Sequence, residues 1–418
     1  MVQAHKNMKI DGDRLWQSLM AMAEIGPGVA GGNNRQALTD ADGESRHLFR
    51  QWCENAGLTM TLDQMGNMFA RREGTDPDAL PIMVGSHLDT QPTGGRYDGV
   101  LGVLAGLEII RSLNDLDIQT RHPIEVVNWT NEEGCRFSPP MLSSGVFAGV
   151  YDLDWAYDRT DADGCRFGSE IERIGWIGDQ QVGAHPLKAY FELHIEQGPI
   201  LEDADIPIGI VTHGQGLVWT KITLTGRESH AGSTPMDRRV NAGLGMAQII
   251  AGVDDIAQHY APDARATVGQ CDVYPNSVNV IPGQAVLTVD MRHPDQKQLN
   301  AMVKDLYAQA QDIAEKIGIE IIFEELSNIA PIAFDETCLN HLRQAAETFD
   351  YQYLELISGA GHDAFWVSKV APSAMIMCPC VGGLSHNEAE DITPEWATAS
   401  TDVLCHAVLN MAEIVTDT

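Results

Sequence analysis

The stretch "LPIMVGSHLDTQPTGGRYDGVLGVLAGLEIIRSLND", residues 80–115, decides the fold. Its first part, "LPIMVGSHLD", is an apolar run of strand length, while "DGVLGVLAGLEIIRSLND" carries apolar residues at helical spacing. "HPIEVVNWTN" at 122–131 reads as the next strand and "KAYFELHIEQG" at 188–198 as another. Strands alternating with helices imply an α/β fold, a mixed and mostly parallel sheet flanked by helices. In such sheets chemistry gathers beyond the carboxyl ends of the strands.

Outward from this frame the pattern changes near residue 213. "LVWTKITLTG" alternates as a half-buried strand does, and a long helical stretch follows over 237–260. The strands "ATVGQCDVYP" and "AVLTVDMRHP", a helix over 295–318 and the strand "IEIIFEEL" complete the order strand-helix-strand-strand-helix-strand. That order is the split βαβ of a ferredoxin-like α+β domain. The tail returns to α/β, with "PSAMIMCPC" as strand and 393–415 as closing helix. The expected organisation is a catalytic domain of 1–212 plus 330–418 with an inserted domain at 213–329. A chain of 418 residues has room for two such cores.

Lys and Arg number 27 against 59 Asp and Glu, a formal net charge of -32. Such a surface argues against nucleic acid or anionic membrane as partner, because both require basic patches. The start lacks the apolar core of a signal peptide, and no apolar run approaches membrane-spanning length. Eight cysteines lie scattered without a CxxC pair, the usage expected of mostly buried free thiols in a cytoplasmic protein.

Candidate metal ligands cluster at predicted strand ends. In "SHLDTQPTGGRYDG", His87 and Asp89 share a face if the strand persists, which suits an imidazole with a carboxylate behind it holding the tautomer. Asp98 follows a glycine-rich turn at the helix start. Glu132 and Glu133 stand side by side where the second strand runs out; one carboxylate suits a metal and the other a proton, and spacing leaves the roles interchangeable. His194 sits late in the third strand, and His386 follows two glycines in "VGGLSHNEAE". Three imidazoles and two carboxylates exceed one tetrahedral site. They fit two metals if Asp98 bridges, pairing His87 with His194 on one side and Glu133 with His386 on the other.

These motifs, with "HIEQGP", "RESHAGSTPM", "NVIPG" and "SGAGHDA", resemble the N-carbamoyl-L-amino-acid hydrolase, β-ureidopropionase and allantoate amidohydrolase branch of the dinuclear zinc carboxypeptidases and aminoacylases. The resemblance runs from about residue 20 to the end. It implies two divalent metal ions per subunit, zinc or else manganese, cobalt or nickel, bound by His87, Asp98, Glu133, His194 and His386, with Glu132 as general base. It further implies that the insert is a lid and dimerisation domain, and that His230 acts in trans within a homodimer, stabilising the oxyanion. Asn279 and Arg292 match carboxylate-binding positions, Gln197 would contact the carbamoyl amide, and Gly359 and Ala360 would bring backbone close to substrate.

The implied reaction is hydrolysis of the carbamoyl C–N bond of an N-carbamoyl-L-amino acid or N-carbamoyl-β-alanine, releasing amino acid, CO2 and NH3. Allantoate or ureidoglycolate amidohydrolysis is the alternative, and N-acyl amino-acid or peptide hydrolysis a more remote one. Trp219, where allantoate-specific members tend to carry cationic residues, tilts the reading towards carbamoyl amino acids. His362 and Asp363 are expected to position backbone; His213 and His293 are expected to pack.

Overall fold

The computed structural model describes residues 8–183 and 185–415. The chain divides into two compact units, Met1–Thr212 with Phe334–Thr418, and His213–Ala333.

In the larger unit a sheet runs through Thr59–Leu62, Met68–Arg72, Ile124–Trp129, Ile82–His87, Ala189–Ile195, Ser373–Cys378 and Ile208–Gly214, in that spatial order. The four strands from Ile124–Trp129 to Ser373–Cys378 are mutually parallel, and the flanking pairs are antiparallel. Every residue of those four strands is buried, which is why they read as continuous apolar runs rather than alternating ones. Helices Val100–Asp115 and Pro394–Ala412 pack on the sheet. Thr393 caps the second of these through Trp396 N–H, with proline at the first helical position.

The smaller unit is a four-stranded antiparallel sheet in the order Glu320–Ile329, Gly216–Thr225, Gln284–His293, Arg265–Tyr274. Chain order against spatial order gives the ferredoxin-like arrangement. Helices Ala242–His259 and Gln296–Ile317 cover one face, burying Val218, Ile222, Leu287, Val289, Met302 and Leu306. The first helix begins later than its apolar pattern, because Asn241 caps it by accepting from Leu244 N–H.

The two connections lie side by side. Ile332 and Ala333 pair with Gly214 and His213, and Phe334 N–H donates to the Thr212 carbonyl at 3.0 Å. The return segment therefore continues in extended form past residue 329. Among the described residues no helix is long and apolar enough to cross a membrane.

Candidate active site

Four parallel strands deliver the candidate ligands at or beyond their carboxyl ends. His87 is the last residue of Ile82–His87, and its ring is almost fully buried. Its Nδ1 lies 2.9 Å from the Asp89 carbonyl, and His194 Nδ1 lies 3.0 Å from the Ile195 carbonyl. A carbonyl can only accept, so both rings carry a proton on Nδ1, and in the neutral form each would offer Nε2 as a lone pair. His194 Nε2 is 3.0 Å and His87 Nε2 3.6 Å from Asp98 Oδ1. On the other carboxylate oxygen, His386 Nε2 is 3.5 Å from Asp98 Oδ2 and 3.4 Å from Glu133 Oε2. Two triads thus share Asp98: His87, Asp98, His194 and Asp98, Glu133, His386, each with donor atoms within 4.8 Å of one another.

Asp98 reaches this position because Gly99 follows it at φ +68°, where a Cβ would lie 2.3 Å from the His87 ring. Its backbone N–H donates to Glu390, and Ser385 Oγ and Gln197 Nε2 donate to its Oδ2. Behind the ligand-bearing strands, Ser86 Oγ and Ala364 N–H donate to the buried Glu192 carboxylate. Tyr190 bonds the Gly85 carbonyl and receives Trp129 Nε1–H. This network joins neighbouring strands below His87 and His194 and fixes their relative height.

The adjacent glutamates lie past the strand end, after Asn131 turns the chain at φ +59°. Glu133 accepts from Gln91 N–H and from Gln91 Nε2 at 2.6 Å. The Glu132 carboxylate lies 3.4 Å from His87 Nε2 and accepts no hydrogen bond among the described residues. The expectation for the Asp89 side chain is corrected: its carboxylate accepts Glu132 N–H at 3.2 Å and Glu133 N–H at 3.3 Å, while its backbone carbonyl sets the His87 tautomer. The carboxylate still lies behind the ring, Oδ1 being 3.8 Å from His87 Nδ1, but the strand ends at His87 and the hydrogen bond from Nδ1 goes to the Asp89 carbonyl instead.

Electrostatically the cluster is short of positive charge. Burial pushes Glu132 and Glu133 well above the usual carboxylate range, with His87 opposing and neighbouring carboxylates adding to the rise. Asp98, despite burial, is held well below it by His194 and His87. Burial lowers His362, which packs on His194 and is neutral. His87 Nε2 is buried without a hydrogen-bond partner. A buried imidazole nitrogen without a partner among surplus carboxylates fits a cation, and the nitrogen and oxygen donors suit zinc or a similar divalent metal.

Gln197, φ +59°, bonds Asp98 and Ser385 through Nε2, while its Oε1 is buried without a partner. Gly359 and Ala360 occupy the turn before helix Asp363–Val367, where Ser358 Oγ donates to the Ala360 carbonyl and bonds His362 Nε2. Asp363 bonds Ser144 at the start of helix Leu142–Phe147. In the smaller unit His230 pairs with Val280 next to Asn279, and its Nδ1 accepts from Gly232 and Ser233 N–H. Neutral His230 therefore keeps its proton on Nε2, as a donor. Arg292 is held against Asp290 at 2.8 Å, Trp219 is partly exposed, and His293 accepts Asp295 N–H. Gln91, Ser385 and Glu390 were not singled out in the sequence; their closeness in sequence to candidate ligands is the one signal that could have found them.

Residues 83–410 match the model of peptidase family M20/M25/M40. The chain is 60% identical to an N-carbamoyl-L-amino-acid amidohydrolase of Rhizobium meliloti, over 99% of this chain and 100% of that one. It is 37% identical to an N-carbamoyl-L-amino acid amidohydrolase of Geobacillus stearothermophilus, over 97% and 99%. A solved amidase of the hydantoinase/carbamoylase family from Burkholderia multivorans superposes with a TM-score of 0.93 at 53% identity, covering 97% of this chain and 98% of that one.

Proposed function

The chain belongs to peptidase family M20/M25/M40, and from that membership we propose that it hydrolyses N-carbamoyl-L-amino acids to amino acid, CO2 and NH3. The observation that carries this reading is the pair of triads sharing Asp98, with the unengaged Glu132 carboxylate beside them. His87, Asp98 and His194 would hold one divalent ion, and Asp98, Glu133 and His386 a second. When bound, such ions polarise a carbonyl and acidify water.

The chain's own residues divide the remaining work. Glu133, fixed by Gln91, acts as ligand. Glu132, with no competing donor, takes the proton from the attacking water and returns it to the leaving nitrogen, general acid–base work typically worth about 10²–10⁴ in rate. Gln197 orients the carbamoyl group, its unpartnered Oε1 accepting the amide N–H. Gly359 and Ala360 let the substrate approach backbone. His230, a donor at Nε2, stabilises the oxyanion in trans within a homodimer, a contribution of about 3 kcal/mol. Arg292 and Asn279 take the substrate carboxylate, the guanidinium being oriented by Asp290.

Ammonia release by the metal-loaded protein tests the reading. The panel comprises N-carbamoyl-L-amino acids, their D forms, N-carbamoyl-β-alanine, allantoate and ureidoglycolate. Preferred turnover of the L-carbamoyl compounds is expected. Faster turnover of allantoate or ureidoglycolate, or no ammonia from any, would refute it.

A further inference from the structure

The five candidate ligands are not held alike. His87 and His194 stand in buried strands with rings fixed by carbonyls, Asp98 is clasped by Ser385 and Gln197, and Glu133 by Gln91. His386 lies instead in the irregular segment between strand Ser373–Cys378 and helix Pro394–Ala412, in the left-handed region at φ +52°. Its side chain is 51% exposed, and no carbonyl fixes its ring among the described residues.

Two carboxylates fasten that segment. Glu390 turns inward, accepting Tyr97 and Asp98 N–H, with its Oε2 3.1 Å from Ser385 Oγ. Glu388, two residues beyond His386, turns the other way into the glycine-rich loop "GPGVAGGN" at 26–33. There its Oε2 accepts N–H groups from Ala30 and from Gly32, the latter at 3.2 Å. The loop closes on itself through Gly28 N–H to Gly32 O at 2.8 Å and Asn34 N–H to Gly26 O at 2.7 Å. It is tied to the turn before Asp98 by reciprocal bonds between Asn33 and Gly94. A Cβ on Gly28 would lie 2.3 Å from Glu388 Oε2, so a side chain there would push the seated carboxylate aside. Successive backbone N–H groups around a carboxylate form an anion-binding concavity, here filled by the chain's own glutamate.

We propose that Glu388, seated in this backbone cradle, is a positioning residue for His386 and selectively sets affinity at the ion site formed by Asp98, Glu133 and His386. The inference rests on the two-ion reading above. His386 is the only candidate ligand carried on the fastened segment, while the shared Asp98 touches that segment only through Ser385 and Glu390 and is held also by Gln197. The site of His87 and His194 should therefore respond much less. Partners that orient a ligand typically account for about 10–100-fold in metal affinity.

The test is titration of the metal-free full chain with Zn²⁺ against a fluorescent chelator, resolving two binding events. It uses wild type, Glu388→Ala, Glu388→Gln, Gly28→Ala and, to mark the second event, His386→Ala. Glu388→Ala should weaken the second event about 10–100-fold and leave the first within about threefold. Glu388→Gln, which keeps a carbonyl acceptor without the charge, should fall between, and Gly28→Ala, which evicts the carboxylate from the loop side, should resemble Glu388→Ala. If Glu388→Ala does not fold, Glu388→Gln alone decides by the same split. Unchanged second-event affinity, or parallel weakening of both events, overturns the proposal while a wild type binding two ions keeps the two-ion reading intact. A wild type that binds fewer than two ions overturns both.

Discussion

Gly99→Ala puts the architecture of the first triad to its most direct test. The added Cβ would sit 2.3 Å from both Cε1 and Nε2 of His87 and 2.4 Å from Cδ2. Carbon contacts settle near 3.5 Å, so the ring would have to withdraw by about 1 Å. It cannot do so freely, because it is buried and Nδ1 is tied to the Asp89 carbonyl. Two effects add: a left-handed alanine costs about 1–2 kcal/mol of stability, and a reacting group misplaced by about 1 Å costs about 100-fold in rate. Gly57→Ala separates them, since Gly57 has φ +78° but nothing within 4 Å of its Cβ. Gly57→Ala should lose stability alone. Gly99→Ala should lose more, by about 1–3 kcal/mol for the overpacked ring, and in addition about 100-fold in kcat/KM, with weakened affinity for the first zinc ion. Urea unfolding of the metal-free proteins, chelator titration and ammonia release measure the three quantities. Wild-type zinc affinity and turnover in Gly99→Ala would refute the assignment of His87.

Other expectations follow from the same geometry. Glu132→Gln should retain both ions and the fold yet lose about 10²–10⁴ in kcat; full activity would remove its role as base. Asp89→Ala leaves the N–H groups of Glu132 and Glu133 without their acceptor, each worth about 1–3 kcal/mol when buried. It should lower both unfolding free energy and kcat, and a variant as stable and active as wild type would contradict that account. Burial raises Asp63 to about 7, against the pull of bonds from Asn67 and Met65. The folded form therefore binds this proton more tightly than the unfolded chain, and the contribution of Asp63 to stability should decline as pH rises from about 4 to about 7. Asp63→Asn should therefore lose less stability than wild type between pH 5 and pH 8, and an identical change in urea unfolding free energy for the two proteins would rule this out.

The strand ends were legible because fully buried parallel strands write themselves as apolar runs, and Ile82–His87, Ile124–Trp129 and Ala189–Ile195 each stop within a few residues of a candidate ligand. The ferredoxin-like unit was legible because its strands alternate, as in Gly216–Thr225. What did not show was anything set by side-chain direction outside regular structure. The Asp89 carboxylate turns to backbone N–H groups once the period of two is broken. Gln197 meets Asp98 from 99 residues away, and Glu388 meets the loop at Gly32 across 356 residues. Such contacts depend on how loops close over the sheet, which no local period encodes. The separation of the two glutamates belongs to the same class: Gln91 distinguishes Glu133 from Glu132, and nothing within "NEEG" does.

The side-by-side connections at Thr212 and Phe334 have a bearing on how such a chain could have arisen. A segment whose ends meet within one hydrogen bond can be gained, lost or exchanged without stretching the host, since loop closure changes little. A gene rearrangement at this point would exchange His213–Ala333 whole, with the cut falling inside the strand Ile208–Gly214 and the pairing of Gly214 and His213 with Ile332 and Ala333 travelling with the exchanged piece. The same junction is the natural place to graft the corresponding unit of a relative, so that the heritage of each half can be read from hybrids.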